Sequence, residues 1–407
     1  MPTARMLAVT GLVLSALALA LTDHALPLAS AAAASSPAAA ASSPAATAPP
    51  PAIDFDRARA LLEKRRAGET LTPDEEEYLQ RAIEARRAGA PRQAPRPPMA
   101  PQDTSNLKPL TEMTADDRYQ GEDGGLYGKG RNTPPDAHRQ AAEAELARIR
   151  PLDDDGKPDA DGKVVLVSIS MSNATQEFST FKRLADEDPA KSPRLTIVDC
   201  AQGGQAMAEW ADPKARPWEV ARERLASAGV SLQQVQVAWI KLANKMPQGT
   251  LQDHGKKLQA DTLAVIQNAR ALFPNLRIAY LSSRIYGGYA GTPLNPEPYA
   301  YDSAFVVRWL VQDQVAGGAA LNFDAARGPV KAPLLLWGPY LWANGSAPRK
   351  ADGLVWLRED LAGDGTHPSE SGRLKVTRLM LAFFKTDPLA RPWFTGPVSP
   401  GTDGKPY

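Results

Sequence analysis

Few residues in this chain are chemically reactive, and that shortage narrows the choice of chemistry. Cys200 is the single cysteine, and His24, His138, His254 and His367 are the four histidines. A lone cysteine excludes an internal disulfide framework and any multi-cysteine zinc or iron–sulfur site. Four dispersed histidines leave little room for a histidine-rich metal centre. Nucleophilic and acid–base chemistry remains. His367 has a carboxylate three residues before it, in the run Asp364-Gly365-Thr366-His367-Pro368. An imidazole can take the proton of a serine hydroxyl, which is a weak nucleophile until a base does so. Asp364 can orient that imidazole and stabilise its cationic form. Ser168, Ser170 and Ser172 lie at the end of one apolar run. Strand alternation and distance past the run favour Ser172 as nucleophile. An oxyanion hole can be assembled from the backbone N–H groups of Ser172 and Gly204 and the side-chain amide of Asn244. A glycine at 204 lets the backbone approach the reacting carbonyl closely. No metal and no organic cofactor is needed by this set.

These residues must be brought together by the elements around them. From residue 163 short apolar runs alternate with amphipathic segments. The pattern predicts strands over 163–170, 195–200, 235–242, 276–282 and 333–338. It predicts helices over 176–185, 218–228, 253–273, 302–315 and 368–384. Nearly all-apolar strands imply burial on both faces. Five strand–helix alternations imply an α/β fold with a parallel sheet and helices on both sides. Right-handed crossovers place all the strand C-terminal ends on one edge, where such sheets bind ligands. Ser170-Met171-Ser172-Asn173, Cys200 to Gln205, Lys241 to Asn244, and the 364–368 run before the last helix all fall at that edge.

With these residues in this order, residues 163–385 resemble the SGNH (GDSL-type) hydrolases, a family of serine esterases and lipases. The family's first block, Gly-Asp-Ser after a strand, corresponds to Ser170-Met171-Ser172, with the serine kept and the glycine and aspartate replaced. The second-block glycine corresponds to Gly204. The third block, Gly-x-Asn-Asp, corresponds to Leu242-Ala243-Asn244-Lys245 and keeps only the asparagine. The fifth block, Asp-x-x-His, is intact as Asp364 and His367. The resemblance implies a three-layer α/β/α, flavodoxin-like fold with strand order 2-1-3-4-5. It also implies hydrolysis through an acyl-enzyme without a metal, with Ser172, His367 and Asp364 as the triad. The same machinery would serve an O-acyltransferase, in which a sugar hydroxyl replaces water. A non-catalytic carbohydrate-binding member of the fold is the remaining alternative.

Outside this region the sequence organises delivery rather than chemistry. Residues 1–31 read as an export signal, with Arg5, an apolar stretch from Met6 to Leu21 and an Ala-x-Ala match at Ala29-Ser30-Ala31. A periplasmic or extracellular location, without stable membrane insertion after signal removal, is expected. Residues 32–52 are an Ala/Ser/Pro linker that cannot build a core. Residues 53–89 read as a helical hairpin, with a capping box at Thr72-Pro73-Asp74-Glu75. Residues 90–109 form a Pro-rich linker, 110–162 an arm and a helix, 163–390 the hydrolase-like domain and 391–407 a tail. The 47 Lys+Arg and 46 Asp+Glu give a net charge of +1, which offers nucleic acid no general attraction. The expected partner is a small-molecule or polysaccharide ester. Arg284, Tyr286 and Trp337, just past strand ends, are candidate substrate contacts, with aromatic packing beneath a lid the competing reading for the last two. His254 opens a helix without an obvious acidic partner in the right place and reads as a helix-terminal or surface histidine.

Overall fold

The computed structural model describes residues 53–54, 57–58, 61–62, 71–89 and 102–396. The expected signal, the first linker and residues 397–407 lie outside them. The chain divides into two compact units, residues 1–92 and 93–407.

In the first unit, helix α1 spans Pro73–Gly89. Its start is the expected reciprocal cap: Thr72 N donates to Glu75 Oε2 at 2.8 Å, and Glu75 N donates to Thr72 Oγ1 at 3.3 Å. Leu79 and Ala82 on α1 bury themselves against Ala58, Leu61 and Leu71. This small apolar cluster is separate from the core of the second unit.

The second unit is an α/β fold on a five-stranded parallel sheet. Its strands are β1 (Val164–Ile169), β2 (Leu195–Asp199), β3 (Val235–Lys241), β4 (Ile278–Ser282) and β5 (Leu334–Trp337), in spatial order β2-β1-β3-β4-β5. Every residue of β1, β3, β4 and β5 is buried. That is the reason these runs are Val-, Ile- and Leu-rich rather than alternating. The longer helices are α2 (Asp136–Leu146), α3 (Ser172–Glu187), α4 (Arg216–Ser227), α5 (Lys256–Leu272), α6 (Tyr299–Val315) and α7 (Glu370–Thr386). Among the described residues no helix is long and apolar enough to cross a membrane.

Three features differ from the sequence expectation. Helix α3 starts at Ser172 rather than 176. The apolar stripe marks only the helix face turned to the core, whereas its first turn lies at the sheet edge. Residues 102–109 are not a free linker: Thr104 is buried, and its hydroxyl is 3.0 Å from the Tyr286 hydroxyl. The core also continues past residue 390, because Trp393 Nε1 donates to Tyr280 Oη at 3.0 Å and Phe394 stacks on Phe384.

The exposed edge of β5 is closed by side chains. Leu335 N donates to Gln314 Oε1 at 2.7 Å, and Leu335 O lies 2.8 Å from His138 Nε2. An edge strand left open would template pairing with another chain. The arm of residues 102–135 is fastened chiefly to α6 and to the segment after β5. Tyr301 Oη donates to Lys108 O, Leu110 N to Tyr340 Oη, and Asn344 Nδ2 to the carbonyls of Thr104 and Leu107. Arg308, almost fully buried, pairs with Glu122 and Asp123.

Candidate active site

The C-terminal ends of β1, β2, β3 and β4 converge with the turn before α7 on one cavity of about 240 Å³. Its wall includes Met171, Ser172, Gly204, Asn244, Arg284 and His367.

Ser172 is the first residue of α3, so its own N–H has no partner inside the helix. The residue before it is extended, with φ −99° and ψ −170° at Met171. Ser172 Oγ lies 2.8 Å from His367 Nε2, within the reach a general base needs. His367 Nδ1 lies 2.5 Å from Asp364 Oδ2. With Nδ1–H donated to the carboxylate, Nε2 is left to accept the serine proton. The turn that holds this pair is built from its own backbone: Asp364 Oδ1 accepts from the N–H groups of Thr366 and His367, each at 3.0 Å. Partial burial opposes ionisation of Asp364. The hydrogen bonds from the His367 ring and from the two backbone N–H groups outweigh it and hold the carboxyl below its ordinary range.

Glycine is required inside that turn. Gly365 has φ +67°, and a β-carbon there would sit 1.7 Å from the carbonyl oxygen of Tyr289. The close approach fixes the turn against the loop after β4, where Gly291 N donates to Asp364 O at 2.9 Å. Asn173 Nδ2 donates to Thr366 O at 2.8 Å and so couples the start of α3 to the same turn.

The three expected oxyanion donors line the cavity together. Neither the Ser172 N–H nor the Gly204 N–H is donated to any described residue. Gly204 has φ +78° with open space where a β-carbon would be, so backbone conformation and not crowding calls for glycine. The Asn244 side chain is oriented from behind. Its Oδ1 accepts from Ala208 N at 2.9 Å, and its Nδ2 donates one hydrogen to Asp261 Oδ2 at 2.6 Å, leaving the second hydrogen unassigned.

The two other serines of the first strand are committed elsewhere. Ser168 Oγ donates to Asp199 Oδ1 at 2.5 Å, and Ser170 Oγ donates to Lys241 O at 2.5 Å. Both are fully buried.

Of the three expected substrate contacts, only Arg284 lines the cavity. Tyr286 is a correction: its hydroxyl meets Thr104 and its ring packs on Tyr289 and Trp342, so it anchors the arm. Trp337 is a second correction: it ends β5 buried, with Nε1 donating to Leu126 O at 2.7 Å. Both aromatics do the packing work that large rings with one polar atom commonly do. His254 is a third. It is buried, and its Nε2 lies 2.7 Å from Asp302 Oδ2, a partner 48 positions away that local reading does not reach.

Beneath the cavity lies a pair that sequence reasoning missed. Lys241 Nζ donates to both Glu177 oxygens, at 2.6 and 2.5 Å, and both side chains are fully buried. Burial pushes Lys241 down to about 8, against the attraction of Glu177. The signal was available: Glu177 interrupts the apolar stripe Ala174, Phe178, Phe181, and Lys241 directly follows the apolar run Val237–Ile240 within its strand. Among the described residues no group of three or more His, Cys, Asp or Glu side chains is placed to hold a metal ion.

No protein-family model and no curated protein sequence matches the chain. Among solved structures, it is similar to a protein described as an acylhydrolase from Bacteroides fragilis, at 12% identity and TM-score 0.32, over 61% of this chain and 96% of the other. It is also similar to a protein from Streptococcus pneumonia described as a platelet activating factor, at 12% identity and TM-score 0.27, over 60% and 92%. A third likeness is to the periplasmic domain of a lipopolysaccharide acetyltransferase from Salmonella ser. Paratyphi A, at 14% identity and TM-score 0.28, over 61% and 97%. At these values nothing about substrate or mechanism transfers from them.

Proposed function

We propose that the protein is an exported serine hydrolase that cleaves esters through an acyl-enzyme. The observation that carries this reading is the connected set Ser172 Oγ, His367 and Asp364, at 2.8 and 2.5 Å, of which Ser172 and His367 line a cavity at the C-terminal edge of the sheet. In this reading Ser172 Oγ attacks the ester carbonyl carbon as His367 Nε2 takes its proton. Asp364 stabilises the imidazolium that forms. The oxyanion is met by the N–H groups of Ser172 and Gly204 and the remaining hydrogen of the Asn244 amide. Collapse breaks the ester C–O bond, and His367 returns the proton to the leaving alcohol. Water then repeats the sequence on the acyl-enzyme and releases the acid.

Export rests on residues 1–31 alone. The two aromatic residues expected to meet a carbohydrate, Tyr286 and Trp337, are buried and do not line the cavity. The proposal is therefore ester hydrolysis, with the alcohol open. The test needs no substrate. A fluorophosphonate probe on the mature protein, followed by peptide mapping, should label Ser172, and His367→Ala should abolish labelling. A folded protein that stays unlabelled, or is labelled at another residue, overturns this assignment.

A further inference from the structure

Arg284 follows β4 by two residues and lines the same cavity, yet it is 2% exposed. Buried arginines are ordinarily held by carboxylates in bidentate pairs. Among the described residues, nothing bonds to this guanidinium. Its Nε is enclosed and has no hydrogen-bond partner. Three carboxylates are near enough to influence its charge, namely Glu177, Glu297 and Asp364. Each is committed elsewhere. Glu177 spends both oxygens on Lys241. Glu297 accepts from Gly287 N, Tyr301 N and Trp342 Nε1. Asp364 holds His367. Burial costs the Arg284 cation more than these carboxylates return, as the downward direction of its pKa expresses. A guanidinium nevertheless keeps its proton in proteins.

A buried cation with unfilled donors facing a cavity calls for an anion in that cavity. We infer that the substrate carries an oxyanion substituent, of the carboxylate, phosphate or sulfate type, and that Arg284 binds it beside the reacting ester. This inference rests on the ester-hydrolase reading for its substrate and on Arg284 alone for the charge. It makes Arg284 a specificity residue whose unmet bonds cost the free protein stability, a trade often found at binding sites.

The test separates the two readings. Wild-type protein is assayed with monophenyl succinate and with phenyl butyrate, which differ in charge at the acyl end, and with 3-acetoxybenzoate and phenyl acetate, which differ at the alcohol end. One anionic member should be preferred by roughly 10- to 100-fold in kcat/KM, the size of one charge-assisted recognition contact. In Arg284→Met the preference ratio should fall to about one, and in Arg284→Lys it should be intermediate. Equal use of the charged and neutral members by the wild type, or a preference surviving in Arg284→Met, overturns the inference. The ligand-free Arg284→Met protein should also melt higher, by roughly 2–4 °C or more, because an unpaired buried charge has been removed. A lower Tm would mark Arg284 as a structural residue and overturn the proposal. Calorimetric titration of the Ser172→Ala variant with succinate and with inorganic phosphate needs no turnover. Binding that is lost on adding Arg284→Met upholds the anion site even if no ester is ever cleaved. Absence of binding together with absence of preference sinks it while leaving fluorophosphonate labelling of Ser172 as independent support for the hydrolase reading.

Discussion

The triad side of the cavity and the layer beneath it handle charge in opposite ways. On the triad side the groups are partly exposed, with side-chain exposures of 25% for His367 and 36% for Asp364, and the Asp364 carboxylate draws its bonds from within its own turn. Beneath it, Lys241, Glu177 and Glu297 are almost wholly shut from water, with Lys241 and Glu177 meeting from different elements, and Arg284, equally buried, has no bonded partner among the described residues. A four-residue turn supplies the carboxylate that orients its own imidazole, and Gly291 and Asn173 fasten that turn to its neighbours. A buried ion pair requires strand β3 and helix α3 to be packed before either charge is tolerable. The contrast teaches that the Asp364–His367 pair is set by a short run of sequence, while the charges around it are set by long-range packing.

The sharpest way to break this comparison is to remove the triad. Ser172→Ala and His367→Ala should each lower kcat/KM on an aryl ester by about 10⁴- to 10⁶-fold, with Tm nearly unchanged. The double variant should lose little more, because the members act as one unit. Multiplicative losses in the double variant would show that the two residues do not share a step. The layer beneath should respond in the other currency, folding stability. Lys241→Met and Glu177→Leu should each cost about 3–5 kcal/mol in urea unfolding, since each strands a buried charge. The double replacement should recover most of that cost, and additive losses would show that the pair is not coupled.

Glu297 gives a pH-dependent version of the same contrast. Burial raises its carboxyl from 4.5 to about 7, although three N–H donors favour the ionised form. The folded state thus binds the proton more tightly than the unfolded state. Stability should then fall as pH rises from about 4.5 to about 7 and level off above, by about 3 kcal/mol in all. Urea unfolding across that window should show this slope in the wild type and lose it in Glu297→Gln. Asp364 has the opposite sign: its lowered carboxyl adds stability above the ordinary aspartate range, which is lost as pH falls through the lowered value. The smallest effects belong to the aromatics outside both regions. Tyr286→Phe and Trp337→Phe should each change kcat/KM by less than about threefold and cost about 1 kcal/mol for one lost hydrogen bond. A large rise in KM for either would return it to the substrate.

How much of this was legible follows the same division. The strands were readable because buried parallel strands are continuous apolar runs, and the observed strands match the expected ones to within two residues at each end. Ser172, Asp364 and His367 were readable because their types suit one chemistry and because right-handed crossovers put their segments on one edge. The start of α3 was placed four residues late, since an apolar stripe says nothing about a helix turn that faces a cavity. His254 and Asp302, 48 positions apart, form a buried pair that no local pattern announces. Tyr286 and Trp337 were assigned to substrate because an aromatic at a strand end looks the same whether a ligand or an arm covers it.

By itself, then, the sequence determined the alternation that makes the parallel sheet and the edge on which the strand ends and the Asp364-to-His367 run gather. Each depends on interactions between near neighbours or on a chirality common to all such chains. Tertiary structure alone decided what occupies the hydroxyls of Ser168 and Ser170, which aromatics are covered, and that Arg284 would be buried on the cavity wall without a bonded partner among the described residues. Those outcomes depend on distances between segments far apart in the chain, and burial turns such distances into energies that no single segment carries.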